Sequence, residues 1–560
     1  MRKIYAVSML VGLSFLASQA EEYVWTPTTA INDLYYWSTP ANWIPNAPEE
    51  GFASDSVLSI GGAPQFMTLD KKYSVTQVKI DNANTTINLG GQHLEFPTSQ
   101  TNPILIDGQT EGPLNIVISN GTITANASQT FFPNAKNSSS TILLDNVCFT
   151  NTSSSGTKIA NSSTCIVRDS SFVVSNKDGN AHWYLSSNST LIFEGPKTKA
   201  KMHTKAGRFK FEDDSTLIVS NKADASVING YVEFPGERAT MIIDNAKWTH
   251  EVTGFNINSD CKMIVKNNGT FTFPRLNLHY LNPGSHNCTN TLFEVSTGGL
   301  MEFKNYPFAS KGINGYGGNK FTVDGEGSIL KFNISRDSKT ISFNSSNNVI
   351  RATNKGTLSF EGTDAGRTLT LSSMNNIIEV DNSTMTSQYS IIGIGVNGTN
   401  NVFSLANAST LTLLNDSSLV IGKGNYSKNN CLRITGEGNQ VSLSTTSDFC
   451  TSNSSAIAFI MTGNMTNEKP MLEFKSTSTG MIILDGITSA SFDDTLLRES
   501  GEYSTVTLLK IPTAKFTHND LTSVLKTAAG NHGKVTYSTD ETYTYWTYKC
   551  TTPGLTVILK

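Results

Sequence analysis

An asparagine that returns at a nearly fixed interval constrains this chain more than any other feature. Asn319, Asn348, Asn376, Asn401 and Asn430 each open the same phrase: a short alternating apolar strand, a turn of Asn, Asp or Gly with Ser or Thr, and usually a second short strand. Their spacing is close to regular, and the same theme recurs upstream at 216–219, 240–243, 262–265 and 292–295. Self-similarity at such a period is the mark of a repeat architecture. Alternation of period two puts one set of side chains inward and the Ser, Thr, Asn and Lys set outward. One unit alone cannot bury its inward face, but coils stacked ~4.8 Å apart make a continuous core and satisfy each other's backbone. The expected fold is therefore all-β: a right-handed parallel β-helix, or β-solenoid, with two strands and a turn per unit. Its asparagines should stack as an amide ladder, and Asn and Gly should take the left-handed turns. The hand is that of parallel crossovers generally. A β-sandwich array also has short strands and frequent turns, but it carries no Asn-led period.

The first residues, Met1-Arg2-Lys3, are followed by an apolar run to Ala17 and then Ser18-Gln19-Ala20. A basic start, a short apolar core and small residues at −3 and −1 predict a secretory signal spanning 1–20, cleaved after Ala20. The run is shorter than the ~20 residues that cross a bilayer, and no transmembrane helix is expected elsewhere. The chain after position 20, at ~25–29 residues per coil, would make roughly 17–20 coils. The expected organisation is a cap over 21–66, solenoid repeats over 67–487 and a second cap over 488–560. Charged residues make up only 16% of the chain and the formal net charge is −4. That gives nucleic acid, which is bound by neutralising phosphates, no electrostatic foothold.

Both ends depart from the repeat. Near the start, Trp25, Trp37 and Trp43 surround Tyr35 and Tyr36, followed by a Pro/Asp turn and strand-like runs at 55–60, 75–80, 85–89 and 94–96. This order, together with the repeat, resembles bacterial exported β-helix proteins with autotransporter-type β-strand repeats. The resemblance covers the N-terminal part of the mature chain and, more loosely, the repeats. It implies an extracellular, passenger-type solenoid. A self-sufficient autotransporter would end in a membrane barrel of alternating strands. Residues after 487 offer only a short mixed segment, so any barrel is expected to be a separate protein or absent. In that segment 502–510, 534–538, 543–549 and 555–559 read as strands. The apolar spacing of Leu521, Val524, Leu525 and Ala528 predicts a helix, with Asn519 as N-cap and Gly530 as C-cap. Solenoids need caps to stop end-to-end growth.

No catalytic motif stands out: HExxH, GxSxG and the P-loop are all missing. The glycine pattern 393–398 matches GxGxxG, but a strand rather than a helix should follow it, so it reads as a turn. Asp213-Asp214 and Asp493-Asp494 could serve acid–base work. They sit in turn-like contexts, where adjacent carboxylates point apart. Single, scattered His residues, of which His279 and His286 are nearest, and the lack of CxxC pairs argue against a metal site. No catalytic, metal or cofactor residue is assigned.

Other features leave alternatives open. Cys148/Cys165, Cys261/Cys288 and Cys431/Cys450 fall in pairs at separations that one coil could bring together. Export permits disulfides between coils, and buried free thiols are an equally good account; Cys550 is left over. Lys197, Lys199 and Lys201 alternate onto one face, extended by Lys205, Arg208 and Lys210. They could contact a polyanion or simply be solvated and discourage edge pairing. Trp25, Trp37 and Trp43 could stack on a glycan or cap the first coil. Eighteen Asn-x-Ser/Thr sequons, among them Asn120, Asn188, Asn268, Asn344, Asn407 and Asn453, are of the number such a composition produces by chance. The expected function is a secreted or cell-surface, non-catalytic solenoid, adhesive or structural, contacting cells, matrix, protein or a cell-surface glycan. The alternatives are a β-helix carbohydrate-active enzyme and a self-assembling surface-layer or fibre subunit.

Overall fold

A computed structural model describes residues 21–550 except 32–33, 62–64, 81–83, 98–101, 107–112, 132–139, 177–178, 252–254, 278–288, 307–316, 334–339, 363–365, 415, 445, 453, 464, 466–467, 477–479, 500–504, 519 and 532. The expected signal segment 1–20 and the expected strand at 555–559, with Asn519, Cys288, His279 and His286, lie outside the described residues.

The chain is a parallel β-solenoid with three faces. On the first face one ladder runs from Gln65–Thr68 to Ile487–Asp493, each strand pairing in parallel with the strand one coil on. Its inward column reads Ile142, Cys165, Leu191, Leu217, Met241, Met263, Phe293, Phe321, Ile350, Ile378, Phe403, Leu432, Ile457, register partner to register partner. The regular solenoid has about twelve turns. The first-face ladder as a whole is longer, with seventeen strands among the described residues joined by sixteen successive parallel pairings. Coil length is uneven: the coil from Met241 to Met263 is short, and the next, from Met263 to Phe293, is long. The slack lies in the turns, while register along the ladder stays constant, since a one-residue slip would turn the apolar set outward.

The second face begins after a turn whose asparagines adopt left-handed conformations; Asn221, Asn245, Asn267, Asn354, Asn382 and Asn407 all have positive φ. Asn tolerates this region better than other L-residues with a Cβ. Several turn amides also bond across coils, as Asn354 Nδ2 donates to Asp324 Oδ1 (2.7 Å) and Asn407 Nδ2 to Asp381 Oδ1 (2.8 Å). Aromatic side chains stack rung on rung on this face: Phe303–Phe332 and Phe332–Phe360 lie 4.9 and 5.2 Å apart and almost parallel.

A third face was not expected from the repeat. It consists of very short strands, such as Thr157–Ile159, Trp183–Leu185 and Tyr231–Glu233, again in parallel register. Strands this short turn at most two side chains inward, too few to show alternation among the surrounding turn residues. A second described run of this face extends from Thr340–Phe343 to Phe516–Thr517.

The leading asparagines form the ladder their spacing implied. Asn319, Asn348, Asn376, Asn401 and Asn430 are all buried in one column at the entry to the first face. Asn319 Nδ2 donates to Asn348 Oδ1 (3.1 Å), Asn348 Nδ2 to Asn376 Oδ1 (2.9 Å) and Asn401 Nδ2 to Asn430 Oδ1 (3.0 Å). The Oδ1 atoms of Asn348, Asn376, Asn401 and Asn430 also accept the backbone N–H of the preceding coil's asparagine, as in Asn376 N–H to Asn401 Oδ1 (2.9 Å), and Asn319 Oδ1 accepts Thr291 N–H (3.1 Å). Asn376 Nδ2 is buried without a partner, so the side-chain relay pauses there. Upstream the same column holds Ser163, Ser189, Ser215, Ala239, Cys261 and Thr291, all buried.

The caps close the two ends of the core. At the N-terminus Glu22–Trp25 pairs antiparallel with Trp43–Ile44 and parallel with Val57–Ile60. This sheet passes into the third face through the Gln129 side chain, whose amide accepts from Ile104 N–H (3.0 Å) and donates to Ile104 O (2.8 Å) in place of a backbone rung. At the C-terminus Thr505–Pro512 pairs antiparallel with Tyr543–Cys550, which pairs antiparallel with Gly533–Thr539. The helix Leu521–Ala529 packs on Ile487–Asp493, the last strand of the first face. Its N-terminal boundary residue is Asp520, in a left-handed conformation with no side-chain cap bond. Gly530 ends the helix as expected, its N–H donating to Lys526 O (3.3 Å). Among the described residues no helix is long and apolar enough to cross a membrane.

Two measurements check this architecture. Asn348→Ala strips the buried Asn319 N–H and amide of their acceptor, so thermal or denaturant unfolding should show a loss of roughly 2–3 kcal/mol; a change within ~0.5 kcal/mol would count against the ladder. Burial holds the His250 imidazole down to about 4, with its Nε2–H donating to Gly230 O (2.7 Å). An unfolded histidine titrates near 6.5, so the unfolded chain takes up the proton first as pH falls. Stability should therefore be full above pH ~6.5 and decline by roughly 3 kcal/mol towards pH 4. His250→Gln should flatten that slope in urea titrations run across the window.

Candidate functional site

The third face bears a cleft built from its outward residues. With Trp183, Phe209 and Val232 turned into the core, their strand neighbours project outward in register. One outward column runs Thr130, Lys158, Tyr184, Lys210, Glu233. Beside it lie His182, Arg208 and Tyr231, the residues that begin or precede the same strands. A cleft of about 450 Å³ is lined by Asn180, His182, Tyr184, Ala206, Arg208, Lys210, Tyr231 and Glu233. A second, of about 520 Å³, is lined by Ser128, Thr130, Ser154, Ser155 and Lys158 and shares Asn180, His182 and Tyr184 with the first. The two form one depression along the axis of the stack.

Its polar groups hold one another. Arg208 N–H donates to His182 Nδ1 (3.0 Å), which leaves the neutral ring's proton on Nε2. Burial, together with the charges of Lys210 and Arg208, lowers the affinity of His182 for a second proton. The His182 and Tyr184 rings are 5.4 Å apart, and Lys210 Nζ stands 5.5 Å from the Tyr184 ring centre. Burial raises the Tyr184 phenol, so it stays protonated at neutral pH. Arg208 Nη1 lies 3.4 Å from Glu233 Oε2; the guanidinium is 41% exposed and the carboxylate wholly buried. Glu233 Oε1 is buried without a hydrogen-bond partner. Such a group costs free energy unless something donates to it.

Chemically the cleft offers three cations, two tyrosines, a neutral histidine and one carboxylate. Among the described residues lining it, Glu233 is the one acid, so it lacks the paired carboxylates of glycoside hydrolysis. Elsewhere on the rod, Glu302 and Glu361 both lean on the ammonium of Lys331 (3.8 and 2.7 Å), with Lys304, Asn333 and Ser359 as further partners. Asp214 is held bidentately by Arg238 (2.8 Å to each oxygen) and Asp494 by Arg498 and Tyr548 (both 2.8 Å). These are structural partners for each carboxylate. The glycine pattern 393–398 is a turn between the strand Ile391–Ile394 and the next coil's Val402–Ala406. Among the described residues no group of three or more His, Cys, Asp or Glu could hold a metal ion.

Several residues singled out in the sequence are placed apart from the cleft. Trp25, Trp37 and Trp43 are buried, meeting edge to face at 4.8 and 5.7 Å, with Trp43 Nε1–H donating to Trp37 O (2.9 Å). They cap the first coil and present no stacking platform. Lys199 and Lys201 do share one exposed face, the second, and Lys197 is exposed in the turn before it. Arg208 and Lys210, read from sequence as an extension of that stripe, belong instead to the third face.

Two of the three cysteine pairs are also placed apart. Cys148, Cys165, Cys431, Cys450 and Cys550 are free thiols, and Cys288, the expected partner of Cys261, lies outside the described residues. The separations of Cys148 from Cys165 and of Cys431 from Cys450 fall short of a full coil, so each pair lands on different faces. Cys148 points outward on the second face while Cys165 points inward on the first; Cys431 is on the first face and Cys450 on the third. Cys261 Sγ lies 3.5 Å from Gly236 O. Burial pushes the Cys165 thiol far up and the Cys450 thiol to about 11.

The cleft itself was missed, although a signal existed. Lys158, Tyr184, Lys210 and Glu233 are each a large polar or aromatic residue in a very short strand, and they recur at close to one coil's interval. The chain matches no protein-family model and no curated protein sequence. Maleimide labelling of the native protein, read by peptide mass, should modify Cys148 first among the six described cysteines and leave Cys165 silent until denaturation. A peptide joining Cys148 to Cys165 would refute the placement.

Proposed function

We propose that this protein is a secreted or surface-exposed, non-catalytic β-solenoid of the autotransporter-passenger type, which attaches to glycans through its third-face cleft. The observation that carries the reading is the outward column Lys158–Tyr184–Lys210–Glu233 beside His182, Arg208 and Tyr231. Tyrosine faces stack on sugar rings, and fixed polar groups around them select orientation. The depression follows the stack axis, which suits an extended polymer. Its single carboxylate, already tied to Arg208, supports binding without cleavage. Placement outside the cell rests on the leader-like pattern of residues 1–20.

Binding of the mature chain to an array of polysaccharides tests this, with product analysis of each bound glycan. Expected is retention of at least one polysaccharide, loss of roughly tenfold or more in affinity for Tyr184→Ala, and no new chain ends. Release of shortened or unsaturated products would make the protein an enzyme. Binding unchanged by Tyr184→Ala would move the site elsewhere on the rod.

A further inference from the structure

The chemistry of the cleft narrows the class of glycan, and this step rests on the proposal that the cleft binds one. We propose that the ligand is an acidic polysaccharide, bearing carboxylate or sulfate groups, lying parallel to the rod. Lys158 and Lys210 sit two rungs apart in one column with Tyr184 between them, a span of ~10 Å at the parallel-strand spacing. Acid groups on successive sugars meet these two ammonium groups and the half-exposed guanidinium of Arg208, while a ring face lies on Tyr184. Among the described residues neither Lys158 nor Lys210 has a salt-bridge partner, and the cation of Lys210 faces the Tyr184 ring instead.

Glu233 places a second requirement on the ligand. A cleft that only collected polyanions would gain nothing from a buried carboxylate. Here its Oε2 meets Arg208 and its Oε1 is buried and unpartnered on the cleft wall. That oxygen needs a donor, and a sugar hydroxyl provides one once a side-chain shift uncovers it, because its surface is closed in the free chain. Anions without hydroxyls, such as polyphosphate, leave it unsatisfied. The cleft therefore selects in two ways: its cations favour acidic over neutral glycans, and Glu233 disfavours anions that cannot donate. The whole chain carries a net charge of −4, so attraction of a polyanion is local to this face.

The test is calorimetric titration of the full mature chain with polygalacturonate (carboxylate), dextran sulfate (sulfate), unsubstituted dextran and polyphosphate. Expected are binding of one or both acidic polysaccharides, weakening as salt rises, and no binding of dextran or polyphosphate. Which acidic polymer binds tells carboxylate from sulfate. Lys158→Gln/Lys210→Gln, both solvent-facing positions, should lower affinity by roughly tenfold or more and flatten the salt dependence, with the melting temperature unchanged. Dextran bound as tightly as the acidic polymers, with the double variant unaffected, would overturn the acidic class and leave glycan attachment standing. Polyphosphate bound equally well would overturn the role of Glu233. Failure of every polysaccharide, alongside failure of the glycan array, would overturn attachment itself.

Discussion

Everything in this molecule depends on one constraint: an inward side chain is buried only if the coils on either side place an apolar side chain at the same position. No coil has a core of its own. Phe293 lies against Phe321 at 4.6 Å with nearly parallel rings, because strict parallel register puts successive coils one strand spacing apart. That requirement explains the uniformity of the inward columns and the freedom of everything else. Coil length can vary and turns can lengthen, provided that each chain segment returns to the ladder in phase.

The buried amide column shows how the constraint is met where the chain bends into the first face. A backbone N–H turned inward at a corner has no strand partner and no water. Asn348 Oδ1 accepts both the N–H and the Nδ2 of Asn319, and passes the pattern on to Asn376. Asparagine does this because its side chain carries a donor and an acceptor at the right reach. Upstream, Ser163, Ser189 and Ser215 occupy the column with a smaller group. The ends need another solution, and both are closed by antiparallel pairing and large side chains: Trp25, Trp37 and Trp43 at one end, the helix Leu521–Ala529 and the final hairpin at the other. An antiparallel strand or a helix interrupts the parallel template, which limits end-to-end addition.

The cleft on the third face follows from the same register. Because Trp183, Phe209 and Val232 are turned inward, Tyr184, Lys210 and Glu233 must align on the other side of the sheet, one above another, with Glu233 covered by its neighbours. A solenoid can thus display a row of unlike functional groups at a fixed spacing without any loop to position them. The free thiols obey the same logic in reverse. Cys165 is an ordinary member of an apolar column, and Cys148 faces outward on another face, so oxidation has no pair to join.

Much of this was legible in the residues alone. Period-two alternation and the Asn319–Asn348–Asn376–Asn401–Asn430 interval determined the parallel solenoid and the amide ladder, because both express local geometry repeated many times. The capping role of the terminal segments was legible too, in their aromatic and helical patterns. Tertiary structure decided what a short strand and a variable coil conceal. The third face has strands such as Thr157–Ile159, too short to show a period. Coils as short as Met241 to Met263 and as long as Met263 to Phe293 share one ladder, so sequence separation does not translate into proximity. For that reason Cys148 and Cys165, like Cys431 and Cys450, fall on different faces, and the lysine stripe divides between two faces. The alignment of Lys158, Tyr184, Lys210 and Glu233 depends on where each turn ends, and only the stacked ladder sets that.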